Sequence, residues 1–190
     1  MYTLFLDTHD EEITIALYKD DNLLDKNVTV SNRHHSDYTM PMLKELLDRN
    51  NLTVHSLNSI LVVNGPGSFT GVRLGVTIAK TLAYTLNIPI KTITTMDLYA
   101  VSSDLSTKLV CVDDLKGSFI AFYKDNKLVD EYKYLSKDEL TKFISDNDLS
   151  DKIVENKIDF NKVFEYAKTL ETTNAHAVNP IYIKVIEALK

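Results

Sequence analysis

The segment IALYKDDNLLDKNVTVS, residues 15–31, recurs later in the chain as IAFYKDNKLVDEYKYLS, residues 120–136. Eight of the seventeen positions are identical without a gap. Two lysine-rich hairpins from a compositionally biased genome would explain part of this similarity. Each copy, however, also follows a predicted strand that ends on an aspartate, Asp7 or Asp113, in the shared register. An internal repeat indicates one supersecondary unit used twice, so the segment predicts a duplicated fold.

Apolar and alternating runs around the two copies predict the remaining elements. The predicted strands are 2–6, 13–18, 23–30, 59–63, 90–94, 108–112, 119–123 and 128–135, and the predicted helices are 38–49, 71–86 and 137–146. Two units of three strands and a helix favour an α/β architecture with mixed sheets flanked by helices. This is the duplicated arrangement of actin-like ATPases and sugar kinases. We predict a first lobe over 1–103 and a second lobe over 104–190.

Composition and charge exclude several classes of protein. The 190 residues are 44% hydrophobic and 25% charged, which is typical of a folded protein. The net charge of −6 argues against independent binding to tRNA or DNA, because such binding needs lysine and arginine against phosphates. A single cysteine, Cys111, forms no internal disulfide, and MYTLFLDTHDEE at residues 1–12 is not a signal peptide pattern. With no apolar stretch long enough to cross a bilayer, we expect a cytoplasmic protein that contacts no membrane.

The first hairpin turn is poorly suited to nucleotide binding. In actin-like ATPases this hairpin holds the phosphates, and such a turn needs glycine so that backbone amides can approach them. DTHDEE, residues 7–12, contains no glycine and carries Asp7, Asp10, Glu11 and Glu12. Four carboxylates repel a triphosphate unless a metal intervenes. The sequence therefore argues against ATP hydrolysis by this chain.

A glycine-rich loop, VVNGPGSFTGVRLG at residues 62–75, links a predicted strand to a predicted helix. It is not a Walker A loop, because no lysine follows Gly71, and it contains no GxGxxG pattern. Ser68 or Thr70 is placed to cap the helix. The helix start, with Arg73 in its first turn, would bind an anion weakly or serve only as a well-capped turn with a structural arginine.

The helix after the loop carries a ridge of small residues. Gly71, Gly75, Ala79 and Ala83 share one side, and flanking apolar residues widen the buried arc beyond the stripe that a one-sided helix needs. A ridge of this kind lets another backbone approach closely. The neighbour is either internal, such as helix 38–49, or another subunit, and the internal neighbour is favoured.

Catalytic groups are missing from the sequence pattern. None of the five histidines forms the HxxxH pair that places two metal ligands on one helix face. Ser68 lacks a GxSxG context, and Cys111 lies in a predicted buried strand. We therefore predict no catalytic residue and no metal site.

Several of these segments together resemble a known family. GPGSFTGVRLG (65–75) after SILVVN (59–64), RHHS (33–36), PMLKELL (41–47) and NPIYIK (179–184) resemble the signature elements of the TsaB (YeaZ) family. The resemblance covers residues 1–125 and the short island 179–184. It implies the two-lobed actin-like (ASKHA, RNase H-like) fold. It also implies a non-catalytic scaffold required for threonylcarbamoyl-adenosine (t6A) formation beside the anticodon of tRNA.

The resemblance also implies the partners. Members of this family dimerise through the first-lobe helices with a TsaD-type paralogue, which carries the metal and the transferase site, and a TsaE-type ATPase docks on the pair. Threonylcarbamoyl-adenylate comes from a separate synthase, so the chain needs no cofactor of its own, and it meets tRNA only through the complex. The same helix would form a homodimer when the partner is absent. The predicted interface is Met42, Leu46, Gly71, Val72, Gly75, Val76, Ala79 and Ala83, and the signature loop is Gly65, Pro66, Gly67, Ser68, Phe69, Thr70 and Arg73.

The sequence departs from the family pattern at three places. DDLKGS (113–118) has Leu115 and Ser118 where the family has arginine and glutamate, with Lys116 as a substitute positive charge. His9 replaces a small residue, and the second lobe is shortened. Two alternatives to the scaffold remain: a small actin-like ATPase or kinase, and a metallopeptidase-like protein.

Overall fold

The computed structural model describes residues 1–32 and 34–183. Its strands are β1 Tyr2–Asp7, β2 Glu12–Lys19, β3 Asn22–Val30, β4 Ser59–Val63, β5 Ile90–Ile93, β6 Thr107–Asp114, β7 Gly117–Lys124, β8 Lys127–Leu128 and β9 Lys133–Ser136. The α-helices are α1 His35–Arg49, α2 Phe69–Leu86, α3 Thr95–Ser102, α4 Lys137–Asp146 and α5 Phe160–Thr169, and 3₁₀ turns occur at Val54–Ser56 and Ala175–Ala177. Arg33 of the RHHS motif and Lys184 of the NPIYIK motif lie outside the described residues.

The first sheet has the strand order β3-β2-β1-β4-β5. β1, β2 and β3 are antiparallel because short polar turns join them, whereas β4 and β5 run parallel to β1 and follow helical crossovers. Both faces are buried. Leu4 and Leu6 pack toward α1 and α2, while Phe5 between them packs toward α3, α5 and the second sheet. Burial on both faces explains why β1 is continuously apolar rather than alternating.

The second sheet confirms the repeat and shows how the second copy is reduced. It contains β6 and β7 paired antiparallel, with β8 and β9 both on the outer edge of β7. In the first sheet Leu4 pairs in parallel with Ile60; at the equivalent point Leu109 makes one isolated parallel bridge to Ile153. The fourth strand has thus shrunk to one bridge, and the predicted actin-like α/β fold with a shortened second lobe is confirmed.

The strand predicted over 128–135 is interrupted between β8 and β9. Within the interruption Tyr132 is half-buried in the apolar core, and its hydroxyl lies 3.3 Å from the Thr94 hydroxyl. Asp97, on the first turn of α3, accepts hydrogen bonds from Thr94 (2.7 Å) and from the Tyr123 hydroxyl (2.8 Å). The polar groups at the start of α3 hold Tyr132 in the interior and interrupt the strand there. The prediction of one strand over 128–135, which rested on β-propensity alone, was therefore wrong.

Two helices were absent from the sequence-based prediction. Most residues of α3 are buried, including both Met96 and Tyr99, so it has no one-sided apolar stripe to detect. α5 is amphipathic but only ten residues long; Asp159 caps it by accepting from the amides of Asn161 and Lys162. Both helices lie in the apolar cluster that also contains residues of the two sheets.

The predicted division into lobes at 103/104 stays a prediction. The strands of the first sheet end at Ile93, and those of the second begin at Thr107. A single apolar cluster nevertheless joins Phe5 and Leu61 of the first sheet to Val110 and Phe119 of the second. Across the described part of the chain, no helix has the length and hydropathy needed to cross a membrane.

Candidate partner-binding site around the glycine loop

The glycine loop lies on the turn of the first hairpin. β1 and β4 are neighbouring parallel strands, so the segments that follow them, residues 8–11 and 64–68, emerge at the same edge of the sheet. The amide of Ser68 donates to the carbonyl of His9 (2.7 Å). A Cβ atom on Gly67 would lie less than 3.0 Å from that carbonyl oxygen. The loop is glycine-rich here because the hairpin turn occupies the space of a side chain.

The glycines at the start of α2 continue this contact. A Cβ on Gly71 would overlap the carbonyl oxygen of Thr8, and a Cβ on Gly75 would overlap the Thr8 hydroxyl oxygen. The Thr8 hydroxyl donates to the carbonyl of Gly71 (2.6 Å), which fixes the separation of helix and turn. Two of the small residues of the predicted ridge therefore serve contact with the chain's own hairpin.

Local geometry accounts for the other residues of the signature loop. Gly65 has φ +97°, a conformation that residues with a Cβ rarely adopt, and Pro66 is buried. Ser68 caps α2, because its hydroxyl accepts a hydrogen bond from the amide of Gly71 (3.3 Å). Of the two predicted caps, Ser68 and Thr70, the structure has Ser68. Thr70 lies within the first turn and is exposed. The capped turn explains the loop without a bound anion.

A buried polar cluster sits inside the hairpin turn. His9 Nδ1 lies 2.7 Å from Asp7 Oδ1, and His9 Nε2 lies 3.2 Å from the Tyr99 hydroxyl on α3. Burial lowers the pKa of His9, but the charge and hydrogen bond of Asp7, with weaker help from Asp10 and Glu12, outweigh burial and raise it above its ordinary value. His9, the residue that departs from the family pattern, thus pairs with Asp7 and joins the hairpin to α3.

His35 of the RHHS motif connects α1 to the same turn. His35 is buried, and its Nε2 donates to the carbonyl of Asp10 (2.5 Å). Ser31 donates from its hydroxyl (3.0 Å) and its amide (2.8 Å) to the carbonyl of Glu11. His34 points away into solvent near Asp37. The adjacent histidines therefore have different surroundings, and the buried one holds the turn.

A cleft of about 400 Å³ opens beside the turn. Its lining includes three carboxylates of the first hairpin (Asp7, Asp10 and Glu12), together with Lys26 and residues 156–158 and 160. That this turn repels a triphosphate stays a prediction. No group of three or more metal-ligating side chains forms within residues 1–32 and 34–183.

All eight residues of the predicted interface are buried in this chain. They are Met42 and Leu46 on α1, and Gly71, Val72, Gly75, Val76, Ala79 and Ala83 on α2. They face the chain's own first sheet and hairpin, so the neighbour of the small-residue ridge is internal. A partner that meets these helices would contact their other faces, which carry exposed Tyr38 and Met40 on α1 and exposed Thr77 and Thr81 on α2. That a partner docks on the helix pair stays a prediction.

The described part of the C-terminal island, residues 179–183, contacts the glycine loop, which the sequence alone did not reveal. The amide of Ile181 donates to the carbonyl of Asn64 (2.8 Å), and the Asn64 side chain donates to the carbonyl of Asn179 (3.3 Å). The Lys80 ammonium reaches the carbonyl of Val178 (2.7 Å). Hydrogen bonds thus join the glycine-loop segment to the C-terminal signature segment.

The DDLKGS turn closes on itself. Ser118 is buried and donates to Asp113 Oδ1 (2.7 Å), while Leu115 and Lys116 are exposed at the tip. Ser118, which stands in the place of the family's glutamate, therefore has a local structural role. A role for Lys116 stays a prediction.

Comparison with known proteins agrees with these features. A family model described as "TsaD: tRNA N6-adenosine threonylcarbamoyltransferase" matches residues 27–158, more than half of the chain. The tRNA threonylcarbamoyladenosine biosynthesis protein TsaB of Bacillus subtilis is 38% identical over 102 residues, 54% of this chain and 44% of that protein. TsaB of Escherichia coli is 29% identical over 119 residues, 61% of this chain and 51% of that protein. The chain thus spans about half the length of the curated relatives it matches.

The structural comparison concerns the fold alone. YeaZ from Pseudomonas aeruginosa superposes with a TM-score of 0.77 over 95% of this chain and 100% of that one. The two sequences share 18% identity. The superposition confirms the predicted actin-like fold.

Proposed function

Because this chain belongs to the TsaB (YeaZ) family, we propose that it is the non-catalytic subunit that binds and activates a TsaD-type transferase in t6A modification of tRNA. The observation that carries the proposal is the signature segment 64–75, which packs against the first hairpin through the hydrogen bonds from Ser68 to His9 and from Thr8 to Gly71. Three carboxylates of that hairpin line the neighbouring cleft. A member of an ATPase-like fold with this arrangement is suited to a scaffold role, in the cytoplasm where tRNA is modified.

We place the partner on the outward faces of α1 and α2. Tyr38 and Met40 are 45% and 48% exposed on α1, and Leu74 and Ile78 on α2 are half-buried beside exposed Thr77. Tyrosine and methionine are enriched at protein interfaces. A surface that combines apolar and polar side chains in this way is suited to contact with two apolar helices of the partner. A homodimer in the absence of the paralogue would use the same face.

The wider assembly follows from the same proposal. A TsaE-type ATPase docks on the pair and supplies ATP hydrolysis, while the transferase uses threonylcarbamoyl-adenylate. This chain then needs no cofactor of its own, and tRNA meets it only within the complex.

Thr77→Glu is expected to abolish the one-to-one complex with the TsaD-type paralogue of the same organism while the protein stays folded. Thr77 is exposed, so the monomer tolerates the charge, but an unpaired carboxylate buried in an interface costs about 3 kcal/mol or more. Light scattering of the mixture measures the mass, and circular dichroism checks the fold.

The matched control is Thr141→Glu on α4. Both threonines are exposed helix residues, but Thr141 lies on the second lobe. This variant should form the complex like the wild type. Ala79→Glu should unfold the chain instead, since Ala79 is wholly buried. If Thr77→Glu binds the paralogue normally, the helix faces are not the interface.

Mg-ATP at millimolar concentration is expected to leave the melting temperature unchanged. A ligand that binds only the folded state raises stability with concentration, and the hairpin turn 7–12 has no glycine that would let backbone amides approach the phosphates. A thermal shift assay decides this directly. A rise of several degrees that grows with nucleotide concentration would instead support the ATPase or kinase alternative.

A further inference from the structure

An aromatic and cationic patch lies at the start of α2, next to the docked C-terminal segment. Phe69 and Tyr182 are 45% and 51% exposed, and their ring centroids are 5.5 Å apart at 37°. The guanidinium of Arg73 lies over the ring of Phe69 at 4.7 Å. Residues more than a hundred positions apart in sequence thus form one surface, because the segment around Ile181 is bonded to Asn64.

Arg73 is the available positive charge of this surface. Within residues 1–32 and 34–183, no carboxylate lies within 4.0 Å of its guanidinium. The other described arginine, Arg49, is paired with Asp25 at 2.8 Å. Nearby Lys80 uses its ammonium on the carbonyls of residues 176 and 178. In a chain with a net charge of −6, an arginine that has no carboxylate partner and lies over an exposed aromatic ring calls for an external partner.

We propose that Phe69, Arg73 and Tyr182 bind an unpaired nucleotide of the tRNA substrate. An exposed ring stacks on a nucleobase, and a guanidinium donates a fork of hydrogen bonds to phosphate oxygens. One nucleotide carries both groups, whereas a protein carboxylate would use the arginine and leave the rings uncovered. Unpaired nucleotides are also the parts of RNA whose bases are open to stacking. The inference rests on the proposed function, which supplies the RNA.

The patch acts within the complex rather than alone. A single arginine with two rings gives a weak site, and the acidic hairpin 7–12 contacts the same loop through the bond from Ser68 to His9. The transferase partner would supply most of the affinity for phosphates. This chain would then add one local contact that positions the RNA.

The first test titrates the isolated chain with a single-stranded uridine decamer and follows the aromatic proton resonances by NMR. We expect shifts at Phe69 and Tyr182 that Tyr182→Ala and Arg73→Gln abolish. Tyr84→Ala is the matched control, since Tyr84 is an exposed aromatic residue on the same helix. No shift at Phe69 or Tyr182 at millimolar decamer would overturn the proposal, whether or not the chain binds a transferase.

The second test measures the anisotropy of labelled tRNA with the complex of this chain and its TsaD-type paralogue. Tyr182→Ala should weaken tRNA binding about tenfold, as loss of one stacking contact does. Arg73→Gln should lower the slope of log affinity against log salt by about one, the expected value for one phosphate contact. Lys142→Gln, an exposed charge change on α4, should alter neither quantity.

The remaining outcomes separate this inference from the proposed function. Unchanged tRNA affinity in Tyr182→Ala and Arg73→Gln complexes would overturn the nucleotide site and leave the scaffold role standing. If these variants fail to form the complex, the patch is a protein interface, and the nucleotide site is again overturned. If the wild-type chain forms no complex, the scaffold role fails, while the decamer titration still decides the site.

Discussion

Gly71→Ala is expected to lower the free energy of unfolding by about 3 kcal/mol. In an exposed helix the same change would raise stability by about 1 kcal/mol, because alanine is the better helix former. Here the added Cβ would overlap the backbone carbonyl oxygen of Thr8, so the helix or the hairpin turn must move. Overpacking of this kind costs about 1–3 kcal/mol, and a backbone atom yields least. Urea unfolding of the two proteins measures the difference.

Thr8 supplies a control that distinguishes this cause from a general intolerance of α2. A Cβ on Gly75 would overlap the Thr8 hydroxyl oxygen, which Thr8→Ala removes. The double variant Gly75→Ala/Thr8→Ala should therefore lose less free energy of unfolding than the two single variants lose together. For Gly71→Ala/Thr8→Ala the two losses should simply add, because the carbonyl oxygen of residue 8 remains. Thr77→Ala, at an exposed position of the same helix, should change stability by less than about 0.5 kcal/mol. A stabilised Gly71→Ala protein would contradict the packing that we describe.

Asp7→Asn is expected to destabilise the protein by about 3 kcal/mol at pH 6. The substitution removes the counter-ion of His9, which must then either stay charged without a partner or give up its proton, and breaking a buried pair by removing one partner costs about 3–5 kcal/mol. Tyr99 alone does not replace the carboxylate, since its hydroxyl is a neutral acceptor at 3.2 Å. Denaturant unfolding at fixed pH measures the loss, and an unchanged midpoint would contradict the ion pair.

The same pair predicts a pH dependence whose sign follows from the raised pKa of His9. A base with a higher pKa in the folded than in the unfolded state binds its proton more tightly when folded. The contribution of His9 to the free energy of unfolding is fully present below its unfolded-state pKa of about 6.5. That contribution is lost as the pH rises through the pKa of His9 in the folded state. Each unit by which folding raises the pKa corresponds to about 1.4 kcal/mol.

The stability difference between wild type and His9→Gln should therefore be largest below pH 6.5 and shrink as the pH increases. Asp7→Asn should remove most of this dependence. His34→Gln is the matched control for a histidine-to-glutamine change at an exposed position. A difference between wild type and His9→Gln that grows with pH would reverse our assignment of the charge on His9.

The fold and the local geometry of the loop followed from the sequence to a large degree. The repeat of residues 15–31 at 120–136 predicted the duplication, and α4 begins and ends where its pattern placed it, from Lys137 to Asp146. Short-range signals of this kind are reliable because alternation, capping and turn residues act within a few positions. Helix α3 was not predicted because burial on most of its sides removes the hydrophobic periodicity. The strand predicted over 128–135 was wrong because Tyr132 turns inward toward polar groups that are distant in sequence, such as Thr94.

The sequence by itself determined that α2 has a close neighbour, that its loop lacks the Walker A pattern, and that the chain is built from two related units. Only the tertiary structure decided that the neighbour is the turn at Thr8 and His9, so that the small-residue ridge faces inward. It likewise decided that Ile181 bonds to Asn64, and that Tyr182 joins Phe69 and Arg73 at the surface. The physical reason is that a glycine in the sequence indicates a position where another backbone comes too close for a side chain. Which backbone comes close depends on the path of the whole chain.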